Sequence, residues 1–434
     1  MSFSEWEYQK LGKLCSFDKE SIDPKDNVQY CHYSFPAFDN NKEPEVEMGE
    51  NIKSSKFNFK KGDILFNKLN VKFKRVWNID FDIKDNSICS TEFIPIQSKD
   101  IDRDFLYYCL INPNFTNEMK YLSTGTSNSH QRINIKDIQD YDLFLPKSKD
   151  IQSKIGYILK LLDKKIKINE KINKNLENIL MSIFNSWFIN YKRHDKSNGM
   201  ETDEEYGEVP KGWSVEMIEN YVDFVTGVEP GSKNYHEKQE NNDIPFLRVG
   251  DLSSSNNMVF INKSLSKNKI LNYDDIVLSL DGTVGIVKIG LEGAYSTGMR
   301  KLVIKNDKIN KPFLYCLVKS TRIQKIIETF ATGTTILHAG KSIKHMNFVL
   351  PDKQTMNEFG QNGTPIISNI LLNLKEIERL TNLRDILLPK LMSGEIDVSK
   401  VNCDLIIHNY YLSARFSTIF LHLSVNLFLI DCNV

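Results

Sequence analysis

Two short motifs in this 434-residue chain hold residue types that catalysis uses, and neither completes its pattern. Asn112-Pro113-Asn114-Phe115 is close to the Asn-Pro-Pro-Phe/Tyr tetrad in which an Asn side chain and a Pro carbonyl hold an amine for methyl transfer. No glycine-rich loop for S-adenosylmethionine follows a strand upstream of it. An Asn-Pro pair that ends a helix accounts for the same residues. Gly340-Lys341-Ser342 has the close of a phosphate-binding loop, but G-x-x-x-x-G-K-S needs glycine at 335, where the chain has threonine. The seven cysteines, at 15, 31, 89, 109, 316, 403 and 432, form no C-x-x-C and no zinc spacing. Such an odd, scattered set reads as buried free thiols in a reducing cytoplasm. No nuclease cluster and no metal-ligand spacing emerges, so the chain is expected to need no cofactor and to be no enzyme by itself.

The elements that would position a non-catalytic site are more informative. Ile151 to Phe188 contains no proline and one glycine, and Ile151, Ile155, Ile158, Leu162, Ile166, Ile172, Leu176, Ile179 and Ile183 recur mostly at three- or four-residue spacing. That spacing predicts a long amphipathic helix of about 55 Å, whose stripe requires a partner helix. Lys165 and Asn169 dilute the stripe near its middle, at positions suited to fixing register. Ile366 to Leu391 carries a similar stripe, and Leu176-Glu-Asn-Ile-Leu-Met matches Leu383-Arg-Asp-Ile-Leu-Leu 207 positions later. Trp6, Leu11 and Leu14 match Trp213, Ile218 and Tyr221 at the same offset, while Phe105-Leu-Tyr and Phe313-Leu-Tyr, Thr124-Gly-Thr and Thr332-Gly-Thr, and His130 and His338 match at 208. The chain therefore reads as two copies of one unit, a globule followed by a helix.

Short β-prone runs (Phe57–Phe59, Asp63–Phe66, Phe73–Trp77, Ser90–Ile96), a helical run Phe105–Ile111 and a last strand through Tyr141–Pro146 give an α+β globule over 1–150 with a mostly antiparallel sheet. The central helix follows over 151–190, then a charged linker over 191–211. The second globule, 212–353, repeats the pattern with strands at Phe246–Val249, Asp275–Leu280, Thr283–Ile289 and Lys301–Ile304. The distal helix occupies 354–398, with Pro389 expected to kink or end it. An apolar tail, 399–434, has no counterpart in the first copy. Its run Phe416–Ile430 is shorter than the ~20 residues that span a bilayer, and no membrane partner is expected. The opening MSFSEWEYQK is not a signal peptide, and the net charge is zero, so no global basic field points to nucleic acid.

If the two stripes bury each other antiparallel, the predicted architecture is two similar heads on a two-helix spacer. Two related heads at a set separation suit a ligand with two sites at a set separation, which DNA half-sites provide. The two-copy plan, the openings Glu5-Trp6 and Val209-Pro-Lys-Gly-Trp213, the loop Ala331-Thr-Gly-Thr-Thr, and the helix ends Ser182-Ile-Phe-Asn-Ser-Trp-Phe and Leu387-Leu-Pro-Lys-Leu-Met-Ser-Gly-Glu-Ile resemble the specificity subunit of type I restriction-modification enzymes. The resemblance covers residues 1–398. It implies two target-recognition domains in tandem repeat, separated by a long antiparallel two-helix coiled coil. Each domain would read half of a bipartite double-stranded DNA target, the helices would dock methylation subunits, and restriction and translocase subunits would join through the complex in the cytoplasm. Polar loops are the natural contact residues: Lys68, Lys72, Lys74, Arg75, His130, Gln131 and Arg132 in the first head, and Arg248, Asp281, Thr283, Arg300, Lys301, His338 and Lys341 in the second. A two-headed protein-binding adaptor without nucleic acid is the rival, and zero net charge favours it.

Overall fold

In the computed structural model the described residues are 5–40, 42–123, 131–194, 199–252, 258–334 and 336–402. They form two compact units, one of the residues up to Lys165 together with those from Leu380 onward, the other Ile166–Arg379. The two long helices, Lys149–Phe184 and Lys353–Met392, each contribute one end to each unit. Among the described residues no helix is long and apolar enough to cross a membrane. The apolar tail predicted from 399 on lies, beyond residue 402, outside the described residues.

The first unit carries a four-stranded antiparallel sheet in which Phe93–Ser98 pairs with Cys15–Ser16 on one side and Ile64–Asn67 on the other, with Val76–Asn78 next to the latter. A five-stranded sheet adds one parallel pairing, Gln29–Tyr33 with Ser87–Ser90. Trp6–Lys10 and Asp142–Pro146 make a separate ribbon. Helices Arg103–Ile111 and Pro113–Leu122 start at Asp102 and Asn112, whose side chains accept the Phe105 and Asn114 amides at 2.9 and 3.0 Å. Asn112 thus serves as an ordinary helix cap. One apolar core joins these helices to Ile151, Ile155, Ile158 and Leu159 of the first long helix and to Leu387, Leu388, Leu391 and Met392 of the second.

The second unit repeats this plan. Met299–Ile304 pairs with Val222–Thr226 and Ile276–Ser279, and a second sheet holds one parallel pairing, Asp243–Leu247 with Gly293–Tyr295. Asn310 and Ser320 cap Lys311–Lys319 and Thr321–Thr329, each 208 positions from its counterpart in the first unit. The charged stretch before Trp213 holds a β-hairpin, Met200–Asp203 with Gly207–Pro210, whose Val209 enters the core and whose Tyr206 hydroxyl donates to Asn347 O at 2.8 Å.

Within each unit the long helices pair antiparallel. In the second, Asn169 Nδ2 donates to Glu376 Oε2 at 2.8 Å, Asn373 Nδ2 to Asn173 Oδ1 at 2.8 Å, and Asn173 Nδ2 to Ile370 O at 3.2 Å. Asn169 is 1% exposed, a buried polar group in the helix seam of the kind that fixes register. In the first, Asp163 takes Arg384 Nη1 at 2.8 Å and the Tyr108 hydroxyl at 2.7 Å.

The opening tryptophan of each head packs on the end of a long helix. Trp213 lies 6.1 Å from the Phe188 ring, in the π-turn Asn185–Ile189 that closes the first helix. Trp6 sits against Gly394, where a Cβ would come within 2.9 Å of its indole and where φ is +75°. Gly394 therefore ends the second helix and leaves room for Trp6.

The second helix begins within one residue of the expected 354 and ends at Met392, short of 398. It starts at Lys353, because Asp352 accepts the Thr355 amide at 2.9 Å and Met356 and Phe359 are buried, so Gly360, Gly363 and Pro365 lie inside it. It also continues through Pro389 to Met392. A helix-interior proline costs about 3 kcal/mol. Burial of Leu387, Leu388, Leu391 and Met392 offsets that at about 1.5–3 kcal/mol per side chain before entropy. The strand expected over Phe73–Trp77 begins only at Val76, since Val71–Phe73 is a 3-10 turn and Lys74 is left-handed at φ 46°.

Gly156 and Gly363, 207 positions apart, are equivalent points where a long helix touches the start of a short one. A Cβ on Gly156 would lie 2.7 Å from the Phe105 amide nitrogen, and one on Gly363 2.6 Å from Pro312 Cβ. Alanine would gain about 1 kcal/mol of helix propensity, but overpacking costs about 1–3 kcal/mol and the Gly156 contact is to backbone that has nowhere to move. Gly156→Ala and Gly363→Ala should each lower the urea midpoint, Gly156→Ala the more. A second expectation concerns acid. Burial alone would raise the Glu177 carboxyl, but hydrogen bonds from Lys319 and the Tyr315 hydroxyl outweigh it and hold it below the ordinary glutamate value. Its contribution is then present above about pH 4.3 and is lost as pH falls through the depressed value. The stability gap between wild type and Glu177→Gln should close on acidification; a gap constant from pH 7 to 3.5 would contradict the assignment.

Candidate nucleic-acid interface

In the first unit the strand Ile64–Asn67 leaves the sheet, runs through Lys68–Arg75 and returns as Val76–Asn78. The segment after helix Pro113–Leu122 crosses this loop: the Asn70 amide donates to Gln131 O at 2.8 Å, the Ile133 amide to Lys68 O at 3.0 Å, and Leu69 bridges Arg132. The crossing gathers Lys68, Lys72, Lys74, Gln131 and Arg132 on one loop pair, with Lys72 and Lys74 exposed. Arg132 is ion-paired to Glu92 at 2.6 Å while its side chain stays 59% exposed. Arg75 has a different position. Its Nε and Nη2 donate to both Asp39 oxygens at 2.8 and 2.6 Å, and its guanidinium stacks on Phe35 and Phe73 at 4.9 and 4.7 Å. A bidentate pair of this kind holds the loop in shape. His130 lies outside the described residues.

Two side chains join this surface without having been singled out from the sequence. Phe73, 51% exposed, stands between Lys72, whose Nζ is 5.0 Å from its ring, and Arg75. An aromatic interleaved with basic residues was the available signal. The Lys19 ammonium is shifted below its usual value by partial burial and then by the charge of Lys68, a mark of local positive potential.

The second unit makes the same crossing with other residues. Asp281-Gly282, just past strand Ile276–Ser279, pairs antiparallel with Leu337-His338, and the Ala339 amide donates to Leu280 O at 2.7 Å. Asp281 is the hub: His338 Nδ1 lies 2.7 Å from Oδ1 and Arg300 Nη2 3.4 Å from Oδ2. Arg300 also donates to Met299 O at 3.1 Å and to Thr297 O. Thr283 and Lys341 are exposed beside this pairing, Lys341 in a 3-10 turn that begins at Gly340 next to Arg300. Arg248 is locked onto Asp251 by two side-chain bonds of 2.9 Å, and its neighbour Val249 packs over Gly282. Lys301 faces away, on the other side of its strand, where Asp275 holds its ammonium at 2.6 Å.

The family described as the type I restriction modification DNA specificity domain matches the chain twice, over residues 3–178 and 210–382. The chain belongs to that family. The HindI specificity subunit of Haemophilus influenzae is 26% identical to it over 403 residues, covering 78% of this chain and 87% of that protein. The MjaIX specificity subunit of Methanocaldococcus jannaschii is 26% identical over 309 residues, covering 69% and 70%. A crystal structure of the type I restriction-modification S subunit of M. genitalium superposes with a TM-score of 0.52 at 19% identity, covering 89% of this chain and 96% of that one. Each family match takes in one head and the helix after it, the repeat unit read from the residues.

Within this specificity-domain frame the near-miss motifs have structural roles. Asn112 is a cap, and the Ser342 hydroxyl is buried and spent on Ala339 O at 2.6 Å. Cys15, Cys31, Cys89, Cys109 and Cys316 are buried and free, and burial pushes the Cys15 thiol up to about 12. Two groups of possible metal ligands were not singled out from the sequence: His32 with Glu45 and Glu47, which strand pairing brings together, and His236 with Glu240 and Asp243, which lie close along one local segment. In both the histidine is already bonded to a carboxylate, His32 to Glu47 at 3.1 Å and His236 to Asp243 at 2.6 Å.

Proposed function

We propose that this chain is the DNA-sequence-recognition subunit of a type I restriction-modification complex in the cytoplasm, each head reading one part of a bipartite target. The observation that carries the reading is the specificity domain found twice, each copy presenting the same loop crossing with different polar side chains. Duplex DNA offers these loops phosphates for Lys72, Lys74 and Lys341, and base edges for Gln131, Arg132, Arg300, Asp281 and Thr283. Lys68 lies in the first crossing, Arg248 holds Asp251 beside the second, and the exposed His338 imidazole holds Asp281 in the second. Methyl transfer and cleavage belong to the partner subunits, with the methylation subunits docked on the long helices and the restriction and translocase subunits joining through the complex.

The reading is tested by mapping methylated adenines in the host genome with and without this gene. One bipartite motif should vanish on deletion. Arg300→Ala with His338→Ala should relax one half of that motif and leave the other intact, at about 1–3 kcal/mol of lost discrimination per base contact. Loss of both halves in a folded, assembled variant would point to a single composite site.

If the helices also set the spacing between half-sites, both must be lengthened together, because each contributes to both units. Four residues added after Asn169 in the first helix and four before Glu376 in the second lengthen the pair by about 6 Å. At about 3.4 Å per base pair the unspecified spacer should grow by one or two pairs with both half-sites unchanged. An unchanged spacer in an active double-insertion variant would separate the helices from that role.

A further inference from the structure

The elements that flank the Asp281–His338 pairing also wall a cleft of about 500 Å³ in the second unit. Helix Thr321–Thr329 leads into the segment that bears His338, and the 3-10 turn Gly340–His345 leads out of it. Met217, Ile326 and Phe330 give the cleft an apolar floor, and the His345 imidazole lies parallel to the Phe330 ring at 3.9 Å. Arg322 is committed within the wall, stacked 3.9 Å over Tyr206 and bonded to Asn347 Oδ1 at 2.9 Å and to Glu205. Glu205, the carboxylate of the lining, is in turn spent on Arg322 and Asn347 Nδ2. Lys325 and Lys344 are exposed on the rim, with no carboxylate in ion-pair range among the described residues.

We propose that this cleft seats the sugar-phosphate backbone of the duplex next to the half-site read by the second unit. Lys325 and Lys344 neutralise adjacent phosphates, His345 donates to one of them, and the apolar floor takes the deoxyribose. The inference rests on the DNA-recognition reading above. Three observations support it together: two unpaired ammonium groups face one concavity, the single acid there is already satisfied, and the cleft shares both walls with the crossing. Duplex DNA carries one charge per about 1.7 Å of axis, so a backbone seated in the cleft presents phosphates to both ammonium groups. Contacts of this kind anchor and orient without reading sequence.

The test uses the full chain assembled with its methylation subunits, and measures affinity for a duplex bearing the mapped motif and for one lacking it, across salt concentrations. Lys325→Glu with Lys344→Glu should weaken both duplexes alike, on the order of tenfold near 0.1 M salt, and lower the slope of log affinity against log salt by about 2. The methylated sequence should stay the same. Lys325→Gln with Lys344→Gln should give a smaller loss, and both variants should keep the wild-type unfolding midpoint because the substituted side chains are exposed. Unchanged affinity and salt slope would overturn the inference while leaving the DNA-recognition reading intact. Loss of assembly with the methylation subunits at unchanged DNA affinity would also overturn it, assigning the cleft to an acidic protein segment. A wild-type complex that binds neither duplex would overturn the recognition reading itself.

Discussion

The antiparallel pairing of the two long helices is the interaction on which the rest of the structure depends. Neither unit closes its core with residues from one half of the chain. The first needs Leu387, Leu388, Leu391 and Met392, contributed more than two hundred residues after its own sheet, and the second is built on Leu180, Phe184 and Phe188 as well as on Met356 and Phe359. The two opening tryptophans follow the same rule. Trp213 packs on the end of the helix that precedes its head, and Trp6, which has no preceding helix, packs on the end of the last one. The repeat is therefore circular: head, helix, head, helix, with the final helix serving the first head as the central helix serves the second.

Circularity makes the helix seam a cooperative element. Removing the distal helix would unroof the first head although that head precedes it by most of the chain, so contacts of very long sequence separation must form before the first unit is stable. Such contacts carry a large loop-closure cost, which apolar burial has to exceed. The Asn169–Glu376 pair, with Asn169 buried, and the half-buried Asn173–Asn373 pair then select one register out of the several that Leu and Ile alone would accept. A slip by one turn would leave the buried Asn169 amide without its partner in the seam, at about 1–3 kcal/mol.

What could be read from the sequence was what periodicity and repetition encode. The stripe from Ile151 to Ile183, the Leu176 and Leu383 motifs and the paired tryptophans announced two heads and two helices. The distal helix was placed from 354, within one residue of its start at Lys353, although local residue preferences argue against its first turns. Gly360, Gly363 and Pro365 argue locally against helix, and only Met356, Phe359 and the close approach at Pro312 explain why helix forms there. Pro389 is overridden in the same way. In the candidate interface, residue type alone could not separate Arg132, still largely exposed, from Arg75, which Asp39 and two aromatic rings hold in place, or Arg300 from its neighbour Lys301 on the opposite face of one strand. Phe73 was passed over because an exposed aromatic has no polar signature. Asp281 was named as one candidate among many; that it joins Arg300 and His338 appears only when the two segments pair.

Zero net charge, which favoured a protein-binding adaptor, loses its force at the scale of these loops. At physiological ionic strength charges more than about 8 Å apart are largely screened from one another, so a charged ligand responds to the few groups near it rather than to the sum over 434 residues. At that scale the two heads differ. The first offers lysines around an exposed aromatic with an Arg–Glu pair beside them, and the second an Asp–His–Arg hub beside a threonine and a lysine. The frame that presents them is the same, with a cap at Asp102 or Asn310, a glycine contact at 156 or 363, and a crossing between the loop after one strand and the segment after one helix. Changing an exposed loop side chain typically alters stability by no more than about 0.5 kcal/mol, whereas a base contact is worth about 1–3 kcal/mol of discrimination. A fold arranged this way holds its frame constant while its loops diverge, and a duplicated gene built on it can come to read two unlike half-sites with one architecture.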